Sequence, residues 1–216
     1  MILKDLKKRI YTSISLLVLI YLIFNFNLIL VFSLIVFGVL SLLEFIKIIN
    51  KIFKNNLKSI IINSFFLIYV SLFCFLFLYF SNFLQLKIIL FTLLIGCVFS
   101  DIGGFIFGKI FKGPKLTKIS PNKTIAGAIG SIIFTIIFLS GIFYFFIKNF
   151  DNKILLIATI TSISCQLGDL FFSFLKRKAK IKNTGNFLPG HGGILDRLDG
   201  IFLGVPSGFI FLTLLY

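Results

Sequence analysis

Charge is scarce in this 216-residue chain: Asp, Glu, Lys and Arg make up 13% of it, against 58% apolar residues, and the mean hydropathy is +1.09. Soluble domains carry about 25% charged residues, so too few charges are present to coat a water-facing surface, and a soluble globule is excluded. Acids are scarcer still, with one Glu and six Asp against 22 Lys plus Arg and a net charge of +15. Tryptophan is absent, histidine occurs once and cysteine three times. Cys74, Cys97 and Cys165 each lie in an apolar stretch without a partner at metal-ligand spacing. That excludes a disulfide or zinc framework and leaves them as small hydrophobic residues.

What is present is a series of apolar runs. They cover roughly 10–24, 28–43, 60–80, 86–107, 124–147, 154–175 and 200–216, between charged or Asn-rich breaks. A membrane-spanning helix needs about 17–25 such residues. The expected fold is therefore an all-α polytopic integral membrane protein with about seven transmembrane helices, six to eight allowed. The first two runs are short and only Asn25 and Asn27 interrupt them, which fits a tight hairpin or one long segment partly in the interface. The opening MILKDLKKRI runs straight into the first apolar stretch with no small-residue cleavage site, as a signal-anchor does. Neither an internal repeat nor a soluble domain is evident.

Loop charge alternates with the spans. Counting the N-terminus, the loops around 47–58 and 109–123, and the stretch from Lys176 to Arg197, 19 basic residues fall on one side; Lys87, Lys148 and Lys153 fall on the other. By the positive-inside rule the N-terminus and both long basic loops are expected in the cytoplasm and the C-terminus outside, in the cell (inner) membrane. In a membrane chain such a surplus suits anionic lipid headgroups or a polyphosphate substrate, not nucleic acid.

The seven acids divide in two. Asp5, Glu44 and Asp151 lie near lysines at span edges and are expected to be solvated edge charges. Asp101, Asp169, Asp196 and Asp199 fall in the second half, near expected cytoplasmic span ends. Acids inside apolar runs usually mark a cation site or polar pocket, the alternative being a structural ion pair with a lysine. Asp101 opens DIGGFIFGKIF, whose glycines permit close approach of backbone or ligand. In GKIFKGPKLTKISPNKTIAG (108–127), Ser120 or Thr124 is placed to cap the following helix, and Lys123 supplies a point charge suited to phosphate. Asp169, Ser173, Lys176 and Arg177 stand at i, i+4, i+7 and i+8, one helical face. Pro189-Gly190-His191-Gly192-Gly193 forms a turn around the single histidine, and Asp196 and Asp199 follow on one side of the next helix.

Residues 173–199 resemble the signature of the phosphatidate cytidylyltransferase (CDP-diacylglycerol synthase) family. Ser173, Lys176, Arg177, Lys182, His191, Gly192, Gly193, Asp196, Arg197 and Asp199 stand at its spacing, and Ser120, Pro121, Lys123, Thr124 and Gly127 match its upstream Ser-Pro-x-Lys-Thr-x-Glu-Gly element. Asp101 with its glycines and the Gly168-Asp169 pair also look like family elements. Two positions depart: Asn183 stands where the family has Asp, and Ala126 where it has Glu. The resemblance covers about 95–205. It implies N-terminal transmembrane helices over 1–94 and a catalytic transmembrane region over 95–216, with basic cytoplasmic loops at 108–123 and 176–199.

The resemblance further implies transfer of CMP from CTP to phosphatidate, giving CDP-diacylglycerol and pyrophosphate. Mg²⁺ is the implied cofactor, with a second cation left open, and CTP, phosphatidic acid and anionic headgroups are the implied partners; a homodimer is also left open. Asp169 and Asp196 would be metal ligands supported by Asp199. Lys176, Arg177, Lys182 and Arg197 would hold phosphates. Ser120, Lys123 and Thr124, with Asp101 and Ser173, would contact substrate, and His191 would shape its turn or donate a hydrogen bond. The nearest alternative is a CTP-dependent polyprenol or phytol kinase, which would release CDP and a lipid phosphate. From another class, a cation-coupled transporter would place its acids near mid-membrane between repeats, whereas here they cluster toward one side.

Overall fold

The computed structural model describes residues 2–54, 56–117, 119–148, 151–185, 187 and 192–216, with side chains from Tyr11 onward apart from Ser13 and Ile147. The described residues form seven helices and no strand: α1 (Ile2–Asn25), α2 (Asn27–Phe53), α3 (Leu57–Ser81), α4 (Leu84–Phe111), α5 (Ile125–Ile147), α6 (Asn152–Lys178) and α7 (Leu195–Leu215). The all-α membrane fold expected from the apolar runs is the fold observed. Six helices, α2 to α7, are long and apolar enough to cross a bilayer; the apolar part of α1, Ile14–Asn25, is shorter than a span requires. Large side chains such as Leu28, Phe65, Phe105 and Phe145 remain exposed, which suits contact with lipid.

Several helices outrun the apolar runs that announce them. α2 continues ten residues past Leu43 because Glu44, Phe45, Ile48 and Ile49 are buried on one face while Lys47 and Lys51 are exposed on the other. α1 and α2 are joined by the single extended residue Phe26, which is the Asn25/Asn27 break read from the sequence.

The chain divides into two compact units, each drawn from two stretches: Met1–Phe80 with Leu175–Leu198, and Ser81–Phe174 with Asp199–Tyr216. In the first, α2 ends at Lys54, whose φ of 51° lets its N–H close onto the Asn50 carbonyl at 2.9 Å. The Asn50 side-chain oxygen accepts from the Ser59 hydroxyl and from Asn63, and Phe45 stacks on Phe66 at 3.8 Å between centroids, fixing α2 against α3.

In the second unit α7 presents Gly200, Gly204 and Gly208, one per turn, toward Cys165, Cys97 and Thr161. Small residues at this spacing let helix backbones approach in lipid, where packing and not water release drives association. Gly168 of α6 abuts the Asp199 carbonyl so closely that a Cβ there would stand 2.5 Å from it. Across the same unit the Ser100 and Ser162 hydroxyls lie 2.9 Å apart, and Gln166 donates to the Ala128 carbonyl at 3.2 Å. Lys87, counted above as a loop charge, lies in the first turn of α4 with its side chain buried.

Candidate active site

The turn into α7 is shaped by two glycines. Gly192 has φ +87°, a conformation L side chains rarely adopt, and a Cβ on Gly193 would collide with the Thr184 hydroxyl and the Glu44 carboxylate. The turn delivers Asp196 to the first turn of α7, where the positive end of the helix dipole favours an acid. One carboxylate oxygen of Asp196 accepts from Lys176 Nζ at 2.7 Å; the other accepts from the backbone N–H groups of Thr184 (3.0 Å) and Gly193 (3.1 Å). Lys176 sits in the last turn of α6, where a cation is favoured by the same dipole argument. Both side chains of the pair are nearly buried. Asn183 lies beside Gly192, close to this pair.

Glu44 departs most from the sequence-based expectation. In place of a solvated edge charge, the structure gives a carboxylate only 2% exposed. It accepts from the Thr184 hydroxyl (2.6 Å) and from the backbone N–H groups of Leu195 (2.9 Å) and Ile194 (3.1 Å). Those N–H groups belong to the start of α7 and have no partner within the helix, so a side chain from α2 caps it. Asp151, by contrast, is the edge charge expected. The Lys153 N–H (3.0 Å) and the Tyr216 hydroxyl (2.7 Å) donate to it and hold its carboxyl below the usual range.

In the other unit, Lys123 Nζ meets one Asp169 carboxylate oxygen at 2.5 Å, both side chains part-exposed. The 112–124 loop that carries Lys123 is braced by backbone bonds from Leu116 to the Lys123 carbonyl and from Ile125 to the Pro114 carbonyl. Of the two candidate caps for α5 the structure selects Thr124, whose hydroxyl accepts from the Gly127 N–H at 3.1 Å. Ser120 instead donates its N–H to the Thr117 hydroxyl. Asp101 lies exposed on α4. Asp199 is buried, its carboxylate accepting from the Gly200 N–H.

The structure thus brings Lys176 to Asp196 in one unit and Lys123 to Asp169 in the other. Ser173 is half-buried on α6, while Arg177, Lys182 and Arg197 are exposed, as a mobile anionic ligand would require. His191 and Lys118 lie outside the described residues. Part-buried acids matched to lysines, together with exposed cations, supply groups able to bind and neutralise phosphates.

A profile of the cytidylyltransferase family matches residues 3–215. The phosphatidate cytidylyltransferase of Rickettsia typhi is 45% identical over 148 residues, covering 65% of this chain and 63% of that protein. That of Rickettsia felis is 44% identical over 123 residues (52% and 54%), and that of Helicobacter pylori 37% identical over 123 residues (57% and 46%). The chain spans about half the length of the curated relatives it matches. With the match running over nearly every residue, the chain belongs to the cytidylyltransferase family.

Proposed function

We propose that this protein transfers CMP from CTP to phosphatidate. A phosphate oxygen of phosphatidate attacks the α-phosphorus of CTP, the bond from that phosphorus to the α–β bridging oxygen breaks, and pyrophosphate leaves with CDP-diacylglycerol as the other product. The observation that carries the proposal is the Lys176–Asp196 pair, locked at the start of α7 within the segment that bears the family signature. Attack of one anion on another is resisted by charge, so catalysis here is positioning and electrostatic stabilisation. Lys176, Arg177, Lys182 and Arg197 would take phosphate oxygens, with Lys123, Ser120 and Thr124 contacting nucleotide or lipid phosphate and Asp101 and Ser173 completing the substrate contacts.

Mg²⁺ characteristically takes one or two carboxylates and fills its remaining positions with substrate phosphates and water. The residues fit such an ion. Among the described residues no three His, Cys, Asp or Glu side chains form a cage, but Lys123 engages only one oxygen of Asp169. A carboxylate offers about four lone pairs, so the three donors on Asp196 leave it one. As the resemblance implies, Asp169 and Asp196 would be the metal ligands with Asp199 supporting them, and the bound ion would neutralise triphosphate charge.

Phosphatidate lies in the leaflet and CTP in the cytosol, so the reaction belongs at the cytoplasmic face of the cell membrane. The lysines in the last turns of α2, α4 and α6 support that orientation. The test is purified protein given CTP, Mg²⁺ and phosphatidic acid: CDP-diacylglycerol and pyrophosphate are expected. CDP with a phosphorylated lipid alcohol, when a polyprenol replaces phosphatidate, would establish a kinase instead.

A further inference from the structure

The proposed chemistry makes no use of Glu44, yet donors from two separate segments converge on it. We infer that Glu44 is a positioning residue for the Lys176–Asp196 pair; the effect on rate assumed below rests on the cytidylyl-transfer proposal, the structural effect does not.

Thr184 donates in two directions, its hydroxyl to Glu44 at 2.6 Å and its N–H to Asp196 at 3.0 Å. One residue therefore links the two carboxylates. A second link runs through Leu195, whose N–H is held by Glu44 and whose chain neighbour is Asp196. Two of the supports that place Asp196 thus end on a single side chain of α2. Gly185 and Gly193 lie so close to that carboxylate that neither has room for a Cβ, which prevents it from taking another position.

The negative charge is required as well as the shape. Two backbone N–H groups and one hydroxyl point at the carboxylate, together with the positive end of α7. Glutamine has one acceptor oxygen and one NH₂ group. One oxygen of Glu44 serves Ile194, the other Leu195 and Thr184. In either orientation the glutamine NH₂ confronts a backbone N–H that has no other acceptor within α7. The start of α7 is then loosened, and Asp196 with it.

Three variants test this: Glu44→Gln, Thr184→Val, which removes the linking hydroxyl but keeps the N–H to Asp196, and Thr184→Ser, which keeps both. Loss of a supporting contact of this kind typically costs about 10–100-fold in activity, and that loss in kcat is expected for Glu44→Gln. Thr184→Val is expected to lose activity too, and Thr184→Ser to hold the wild-type rate. The double variant Glu44→Gln/Thr184→Val should be no worse than the worse single, because both break one linkage. Hydrogen exchange supplies a readout apart from activity: in Glu44→Gln, protection of the Ile194 and Leu195 amides should fall while α4 and α5 stay protected. If the wild type transfers no CMP, the exchange result still decides the role of Glu44. Undiminished protection with an undiminished rate in Glu44→Gln would overturn the inference, as would effects that multiply in the double variant. Should Glu44→Gln fail to fold, the Thr184 pair decides: loss with valine and recovery with serine supports the linkage, and a wild-type rate with valine refutes it.

Discussion

Three carboxylates of this chain differ in what holds them, and the difference predicts what their removal does. Asp169 and Asp196 are each paired to a lysine, Asp151 to a tyrosine hydroxyl and a backbone N–H at an exposed turn. Asp169→Ala and Asp196→Ala should each lower CMP transfer by at least ~10²-fold, the scale of a lost electrostatic contact at a reacting centre. Asp151→Ala should leave the rate near wild type, all three measured per unit of membrane-inserted protein. Equal losses at all three positions would point to folding and remove the case for an acidic site. Asn183 invites the opposite substitution. It borders Gly192, as Asp196 does, and it keeps an acceptor carbonyl without the charge of the family Asp. Asp196 already receives its three donors without help from position 183. Asn183→Asp is therefore expected to change neither the rate nor the Mg²⁺ needed for half-maximal rate. A clear fall in that Mg²⁺ requirement would show that position 183 carries a cation contact this chain has given up.

At the scale of the helices, lysine does work usually left to glycine. Lys54 and Lys148 close α2 and α5 with φ of 51° and 57°, Lys112 follows α4 at 50°, and Lys180 stands just past α6 at 57°. A left-handed conformation costs an L residue roughly 1–2 kcal/mol, and glycine escapes that cost while losing more entropy on folding. Lys148→Gly, on the side away from the proposed chemistry, should raise stability by up to about 1 kcal/mol, read as a higher midpoint of thermal unfolding in detergent. The helices themselves are legible in the sequence because Lys and Asn interrupt apolar runs of near-span length, and the signature residues because Gly192, Gly193 and Asp196 satisfy a local geometry. Glu44 was not legible. Its partners lie 140 to 151 residues away, and an acid three positions before Lys47 reads as an edge charge until the fold closes over it. The alternation of Glu44, Phe45, Ile48 and Ile49 as one face of a continuing helix was the available signal. Lys87 misleads for the same reason, since its burial depends on neighbours no local window contains.

For the whole molecule the testable quantity is sidedness. With Cys74, Cys97 and Cys165 replaced, single cysteines at positions 148 and 152 should react with an impermeant thiol reagent added outside intact cells. Cysteines at 115 and 180 should react only after the membrane is opened. Reversal of that pattern would place both basic loops away from cytosolic CTP. The long separation between Glu44 and its donors also bears on how the protein is made. α2 enters the membrane before α7 has been synthesised, so for the time it takes to add some 150 residues α2 holds a carboxylate whose three donors do not yet exist. A charge in that setting is costly, and the cost is relieved only when the start of α7 arrives. The order of synthesis thus leaves Glu44 unsatisfied until α7 arrives, and a ribosome stalled before residue 184 releases a chain marked, by that one unmet side chain, as unfinished.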